Sequence, residues 1–230
     1  IEIALNKLRL YETLYRAGLD GYIPKYKHLK SLKDLAFYAA SLGYPDSPIC
    51  LKPIAGHGGI GFKLIRKASD IATRLSEGQR WESCTLEEAE RILQHASPEN
   101  SMLIMEYLPG DEYSVDVFAS EGEVIVAVPR KRVRVSTGVV IDGVTEKRPD
   151  LENIARVVVG TLKLDYFCNI QFRFAEDGRL CGSQVLSYGA GVNFPLLCIH
   201  KALGEQYQVP TPSWNVRMKR FWEVAFYGGS

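Results

Sequence analysis

The most informative segment of the sequence is Leu51-Lys52-Pro53-Ile54-Ala55-Gly56-His57-Gly58-Gly59-Ile60-Gly61-Phe62-Lys63-Leu64-Ile65. It places a lysine at the end of one predicted strand, 48–53, and four glycines within six residues before a second strand, 62–65. Glycine N–H groups can approach a phosphate closely, and the lysine supplies a cation. The segment is neither a Walker A loop, which carries GK[ST], nor a dinucleotide fingerprint, which opens a helix. A flexible hairpin turn is the alternative, but it needs fewer glycines, so we predict a phosphate contact.

Composition narrows the class of protein. A chain of 230 residues with 46% hydrophobic and 24% charged residues suits one large domain or two tightly associated lobes. A formal net charge of +1 gives no reason to expect nucleic acid or an anionic membrane as the partner. Without an apolar run of about 18 residues, no transmembrane helix is predicted. The five cysteines form no CxxC pair, which argues against structural zinc and a disulfide framework. We interpret them as reduced thiols of a cytoplasmic protein.

Hydrophobic periodicity predicts a mixed α+β chain. Helical spacing occurs at 1–19, 31–42, 69–75, 85–95 and 151–162. Besides the two strands around the glycines, strands are predicted at 101–107, 113–119, 124–128, 167–174 and 180–186. We expect a helical lead-in at 1–47, a smaller lobe at 48–105, a larger sheet lobe at 106–207 and a C-terminal tail at 208–230.

Four segments in order resemble the ATP-grasp superfamily, and in particular the ATP-binding domain of the carbamoyl phosphate synthase large-subunit group. They are the glycine segment 51–65, Asn6-Lys7-Leu8-Arg9, the stretch from Leu103 to Asp116, and Phe167-Cys168-Asn169-Ile170-Gln171-Phe172. The resemblance implies an α+β ATP-grasp fold in which two lobes sandwich ATP. The family normally carries a preceding Rossmann-like domain, which is not recognisable in this sequence.

The resemblance also implies roles for individual residues. Lys52 would contact the α- and β-phosphates, with Lys7 or Arg9 as a second cation. The triphosphate lid would consist of Gly56, Gly58, Gly59 and Gly61. The adenine edge would be recognised by Glu106 and the backbone of Tyr107 and Leu108, and Glu112 would accept the ribose hydroxyls. ATP and Mg²⁺ or Mn²⁺ are the expected cofactors.

The run Arg130-Lys131-Arg132-Val133-Arg134 carries a second hypothesis. Strand alternation would place Arg130, Arg132 and Arg134 on one face, where Arg130 and Arg132 would act catalytically on the triphosphate or an acyl phosphate. A solvated edge strand is the alternative. Asp116 lies four residues after Glu112 and shares its predicted strand face, but it reads equally well as a surface carboxylate.

The sequence departs from the family at its metal-binding motif. The family has ExNPR one strand after NxQF, whereas this chain reads Gly182-Ser183-Gln184-Val185-Leu186-Ser187. Gln171 and Gln184 would then be weak magnesium contacts, because neutral amides are poor ligands for this ion. Either the protein lacks the motif and is impaired, or the intact chain has further residues around 185–187, which is the interpretation we favour.

The implied activity is that of an ATP-dependent ligase. It would form ADP and an acyl phosphate from a small carboxylate, which an amine, ammonia or a thiol then attacks. A catalytically impaired ATP-binding subunit and a phosphotransferase with the same cleft are the alternatives. No nucleic acid or membrane partner is expected, and a homodimer is left open.

Overall fold

The computed structural model describes residues 2–55, 60–76, 83–95, 101–136, 139–184 and 191–221. These ranges contain the following helices: α1 (Glu2–Leu5), α2 (Lys7–Arg16), α3 (Leu35–Ser41), α4 (Ala68–Ser76), α5 (Leu86–Gln94), α6 (Pro149–Leu162) and α7 (Phe194–Leu203). The strands are β1 (Tyr26–Leu29), β2 (Ile49–Pro53), β3 (Lys63–Ile65), β4 (Ser83–Cys84), β5 (Met102–Glu106), β6 (Glu112–Ser120), β7 (Glu123–Ser136), β8 (Val139–Thr145), β9 (Tyr166–Phe174), β10 (Leu180–Gln184) and β11 (Arg217–Lys219). The predicted α+β class is confirmed.

The chain divides into two compact units. The first comprises Ile1–Gly110 and Arg173–Gly182, and the second comprises Asp111–Phe172 and Ser183–Ser230. The domain boundaries at 47, 105 and 207 remain predictions.

The first unit contains a five-stranded sheet in the order β1-β5-β2-β3-β4. Its strands pair antiparallel except for β3 and β4. Strands β2 and β3 flank the glycine segment and align Ile49 with Ile65, which confirms the predicted strand–glycine–strand arrangement. Their apolar side chains join a buried core with members of α3, α5 and the neighbouring strands: Leu29, Leu35, Ala39, Ile49, Leu51, Ile65, Cys84, Ala89, Met102 and Ile104.

The second unit contains strands of a six-stranded sheet with the order β10-β9-β6-β7-β8-β11. Helix α6 packs on β6 and β7 and buries Leu151, Ala155 and Val159 completely. Helix α7 contributes Phe194 and Leu197 to an apolar cluster with side chains of β6 and β7, namely Phe118, Val126 and Val128. These two helices cover apolar parts of the sheet, whereas a separate group of buried polar side chains lies on β6, β7 and β9.

Local sequence signals explain where several helices start. In α5, Thr85 and Glu88 cap each other's backbone N–H groups at 3.2 and 2.9 Å and so form a capping box at the start of the helix predicted over 85–95. In α2, the Asn6 side chain accepts a hydrogen bond from the N–H of Arg9 at 3.0 Å. This cap separates α1 from α2. The segment predicted as one helix over 1–19 therefore forms two helices, and the second ends at Arg16.

Other elements differ from the prediction. Strand β7 continues to Ser136 instead of ending near Val128, and β8 follows it antiparallel. The predicted tail contains β11, which pairs antiparallel with β8 through Met218 and Gly143. Among the helices of the described ranges, none has the length and apolar content that a bilayer-crossing segment needs.

Candidate functional site: a lysine pair, a hinge strand and a buried polar sheet face

Two lysines lie together beside the glycine segment. The N–H of Lys7 donates to the carbonyl of Ile54 at 2.9 Å, and an isolated bridge joins Asn6 to Ala55. The first residue of α2 is therefore fixed to the chain just after Lys52, which lies on β2. Burial lowers the pKa of Lys7, and the positive charge of Lys52 lowers it further. Two predicted phosphate contacts, far apart in sequence, are thus neighbours.

The end of the glycine segment also has a constrained geometry. Gly61 has φ of +74°, and an added Cβ would lie 2.6 Å from Cγ of Pro53. Both facts restrict this position to glycine. Lys52 Nζ lies 5.6 Å from the ring centroid of Phe62, immediately after Gly61. Gly56, Gly58 and Gly59 lie outside the described residues, so their predicted lid role remains a prediction.

Strand β5, which resembles the strand called the hinge strand in the ATP-grasp superfamily, ends in an ion-pair cluster. The Glu106 carboxylate accepts hydrogen bonds from both terminal nitrogens of Arg179, at 3.0 to 3.2 Å, and from the backbone N–H of Lys25 at 2.8 Å. Arg179 also donates to Asp177 at 2.7 Å, and these hydrogen bonds raise its pKa. The Glu106 side chain is therefore engaged within the protein, which leaves backbone groups as the better candidates for reading an adenine edge.

Tyr107 and Leu108 follow directly. The guanidinium carbons of Arg66 and Arg173 lie 5.4 and 5.3 Å from the Tyr107 ring centroid, in cation–π range. The N–H of Tyr107 donates to the carbonyl of Pro48 at 3.3 Å. Within the described parts of the chain, the Leu108 N–H has no hydrogen-bond partner, so it can serve as the donor that the resemblance assigns to it.

Charged and polar side chains are buried on β6, β7 and β9 of the second unit. Glu112 pairs with Arg132 at 3.3 Å, and Asp116 pairs with Arg130 at 3.6 Å. Asn169 of β9 donates a hydrogen bond to Asp116. Burial raises the pKa of Asp116 to about 6, against the opposing effects of Arg130 and Asn169.

These contacts correct three expectations. Asp116 is 3% exposed, so it is not a surface carboxylate. Strand β7 pairs with β8 and, as far as Lys131, also with β6, so Arg130 does not lie on a solvated edge strand. Arg130 and Arg132 are buried, but the pairing of β7 with β8 shifts on both sides of Arg134, which is exposed. The predicted single face of three arginines is therefore wrong for Arg134, because β-bulges interrupt the alternation.

The described residues do not form a fitting magnesium site. No group of three or more His, Cys, Asp or Glu side chains suited to a metal ion occurs among them. Gln171 is buried on β9 and offers only a neutral amide, whereas Mg²⁺ favours carboxylate oxygens. Nothing is described of the Gln184 side chain, so its predicted metal contact lies outside the described residues.

Comparison with known proteins supports the same family as the sequence resemblance. Residues 98–223, a little over half of the chain, match the family model described as ATP-grasp in the biosynthetic pathway with Ter operon. The chain belongs to this ATP-grasp family. No curated protein matches the chain.

Solved structures support the same fold. A biotin carboxylase complex with β,γ-ATP from Campylobacter jejuni has a TM-score of 0.66 at 16% identity, covering 94% of this chain and 50% of that one. The carboxyaminoimidazole ribonucleotide synthase from Aspergillus clavatus, complexed with ATP, has a TM-score of 0.69 at 15% identity, covering 94% and 56%. The L-amino acid ligase from Bacillus licheniformis has a TM-score of 0.55 at 16% identity, covering 88% and 48%.

Together these matches establish the fold, and the predicted ATP-grasp membership is confirmed. This ATP-grasp chain spans about half the length of the solved structures it matches. Sequence reasoning assigned no role to Arg66, Arg173 or Arg179, which surround the hinge strand. The sequence signal that could have identified Arg66 is its position directly after the strand predicted at 62–65.

Proposed function

We propose that this chain is the nucleotide-binding part of an ATP-dependent ligase. Its substrate would be a small carboxylate, which the γ-phosphate of ATP converts to an acyl phosphate. An amine, ammonia or a thiol would then attack the acyl carbon and release phosphate. The observation that carries the proposal is the lysine pair Lys7 and Lys52, held beside the glycine segment of an ATP-grasp fold.

The lysine pair suits a polyphosphate better than a structural role. The positive charge of Lys52 lowers the pKa of the partly buried Lys7. A triphosphate, which carries several negative charges, would stabilise the positive charge of both lysines. The solved relatives with ATP and β,γ-ATP support ATP as the ligand. Gly61, restricted to glycine by its backbone, continues the same segment toward β3.

The remaining contacts can be assigned by their chemistry. The Leu108 N–H would donate to the adenine edge, and Glu112 would accept from the ribose hydroxyls. Arg130 and Arg132 would bind phosphoryl oxygens, for which the guanidinium fork is suited. In the reaction, these groups would orient the γ-phosphate and balance the negative charge that develops on it. Because the described donor set does not fit magnesium, no step here depends on a metal held by the protein.

A second candidate is an ATP-binding chain that does not catalyse ligation. Its support is the sequence Gly182-Ser183-Gln184-Val185-Leu186-Ser187, which lacks the acid, amide and arginine of ExNPR. A phosphotransferase acting on a non-carboxylate substrate is the third. These candidates differ in their products, since only a ligase releases ADP and phosphate together with a new amide or thioester.

The first experiment is calorimetric titration with ATP and magnesium of the wild type, Lys52→Met and Lys63→Met. Lys63 is the matched control, because it lies on the neighbouring strand opposite Leu51, and alternation places Lys52 on the other face. We expect Lys52→Met to weaken ATP binding about tenfold or more, and Lys63→Met to leave it unchanged. Equal affinity in all three proteins would contradict the phosphate site.

The reaction class requires a second experiment. ADP release by the wild type is measured with panels of amino acids and other small carboxylates, each with and without ammonia or a thiol. A ligase sustains ADP release over many turnovers only when both substrates are present. Binding of ATP without any substrate-dependent ADP would favour the non-catalytic candidate, and a phosphorylated non-carboxylate product would favour the phosphotransferase.

A further inference from the structure

Asp116 occupies an unusual place for a carboxylate. It is 3% exposed, and its neighbours Ser114, Arg130 and Asn169 are equally buried, at 0%, 4% and 4%. Strand register places Ser114 opposite Arg130, so the side chain of Asp116, two residues farther along β6, is diagonal to that of Arg130. The carboxylate of Asp116 and the guanidinium of Arg130 therefore lie on the same face of the sheet.

The two oxygens of Asp116 have different partners. Oδ1 accepts a hydrogen bond from the Asn169 amide of β9, and Oδ2 lies 3.6 Å from Nη2 of Arg130 on β7. The amide nitrogen of Asn169 must face Asp116, because a carboxylate is only an acceptor. Asn169 thus fixes the carboxylate from one side, and the fixed carboxylate orients Arg130 on the other.

A buried carboxylate paired with a guanidinium contributes little net stability. Removing a carboxylate and a guanidinium from water costs free energy that their attraction often fails to recover, and an apolar pair of similar volume is commonly as stable. The hydroxyl of Ser114 and Oδ1 of Asn169 are also buried, and neither has a hydrogen-bond partner in the described structure. A polar set of this kind is more readily explained by a requirement for a defined arginine geometry.

We propose that Asp116, held by Asn169, is a positioning residue that orients Arg130 toward the phosphoryl group of the bound nucleotide. This inference rests on the proposed function, because Arg130 is assigned to phosphate only there. Asp116 does not itself touch the nucleotide, since its carboxylate would repel a phosphate. Its contribution to affinity therefore passes entirely through Arg130.

The test is a double-mutant cycle on ATP affinity, measured by calorimetry with magnesium present. The variants are Asp116→Asn, Arg130→Met and the two combined, each titrated with ATP and with adenosine. Asparagine keeps the shape of Asp116 but removes its charge and replaces one acceptor oxygen with an NH2 donor. Asp142→Asn is the matched control, because it removes another carboxylate–arginine pair of the same sheet, with Arg217 at 2.7 Å.

We expect Arg130→Met to weaken ATP binding about tenfold to a hundredfold, the range for a charge-assisted hydrogen bond. Asp116→Asn should weaken it about threefold to tenfold in the wild-type background and by less than about twofold in the Arg130→Met background. Adenosine affinity should be unchanged in every variant, and Asp142→Asn should bind ATP like the wild type. A purely structural role for Asp116 would lower both affinities and would not depend on Arg130.

Several results would overturn the positioning role. They are unchanged or tighter ATP binding in Asp116→Asn, an equal loss in both backgrounds, and a parallel loss of adenosine affinity. If a variant fails to fold, Asn169→Leu provides a second route, since it leaves Asp116 and Arg130 in place but removes the amide donor. It should weaken ATP binding in the wild-type background only. If the wild type itself binds no ATP, the proposed function fails as well, which distinguishes that failure from loss of the positioning role alone.

Discussion

Replacing Asp116 by asparagine should stabilise the protein at neutral and alkaline pH. The carboxyl is 3% exposed, and burial raises its pKa from 3.8 to about 6. In the folded protein it therefore keeps its proton at pH values where the unfolded chain has lost it. The stability contributed by this group is fully present below pH 3.8 and is lost as the pH rises through about 6.

The size of the effect follows from the same two values. Their difference is about two pH units, and each unit corresponds to about 1.36 kcal/mol, so ionised Asp116 costs about 3 kcal/mol of unfolding free energy. Asparagine cannot ionise, and the variant escapes this cost. The excess stability of Asp116→Asn over the wild type should grow from about 1–2 kcal/mol at about pH 5 to about 3 kcal/mol at about pH 8.

Urea unfolding followed by far-ultraviolet circular dichroism measures this difference at each pH. Comparing the two proteins at the same pH cancels the titration of all other groups that the substitution leaves alone. A difference that does not change with pH, or a variant less stable than the wild type at pH 8, would show that burial does not raise the pKa of Asp116. Greater stability together with weaker ATP binding would identify Asp116 as a residue retained at a cost to the fold.

Three further predictions concern the first unit. Lys52→Met should raise the pKa of Lys7, though not to its ordinary value, because Lys7 remains partly buried. NMR titration of the lysine ε-carbon measures this pKa, and an unchanged value would show that the two ammonium groups do not interact. Glu106→Gln should lower the unfolding free energy by about 1–2 kcal/mol, because its hydrogen bonds to Arg179 become weaker, and adenosine affinity should stay the same. Loss of adenosine binding would mean that the carboxylate binds the adenine. Gly61→Ala should cost about 1 kcal/mol or more in urea unfolding, because its φ of +74° disfavours a side chain; equal stability would indicate a different backbone there.

Much of the first unit could be predicted from sequence because its signals are local. Strands β2 and β3 and their glycine segment stand out by apolar runs and composition, and the Thr85–Glu88 capping box marks the start of α5. The neighbouring positions of Lys7 and Lys52 could only be inferred through the family resemblance. They depend on long-range contacts, from the N–H of Lys7 to Ile54 and from Asn6 to Ala55, that no local pattern encodes.

The second unit was predicted less well because its strands depend on partners distant in the chain. Strand β8 contains Asp142 and Gly143, which disfavour a strand by propensity, yet it pairs with β7 and β11. The bulges around Arg134 change which way side chains point, and alternation counted along the sequence cannot detect an extra residue. The burial of Asp116 is likewise tertiary, since it requires Arg130 and Asn169 from two other strands.

The phosphate site is probed most directly by the pKa of Lys7 with and without ATP. It uses the unaltered protein, with the lysine ε-carbon signals followed by NMR across a pH titration. Phosphate near the ammonium favours its charged form, so saturating ATP should raise the lowered pKa of Lys7, whereas adenosine should not change it. The same pKa in the presence of bound ATP would show that the phosphates lie elsewhere and would contradict the proposed site.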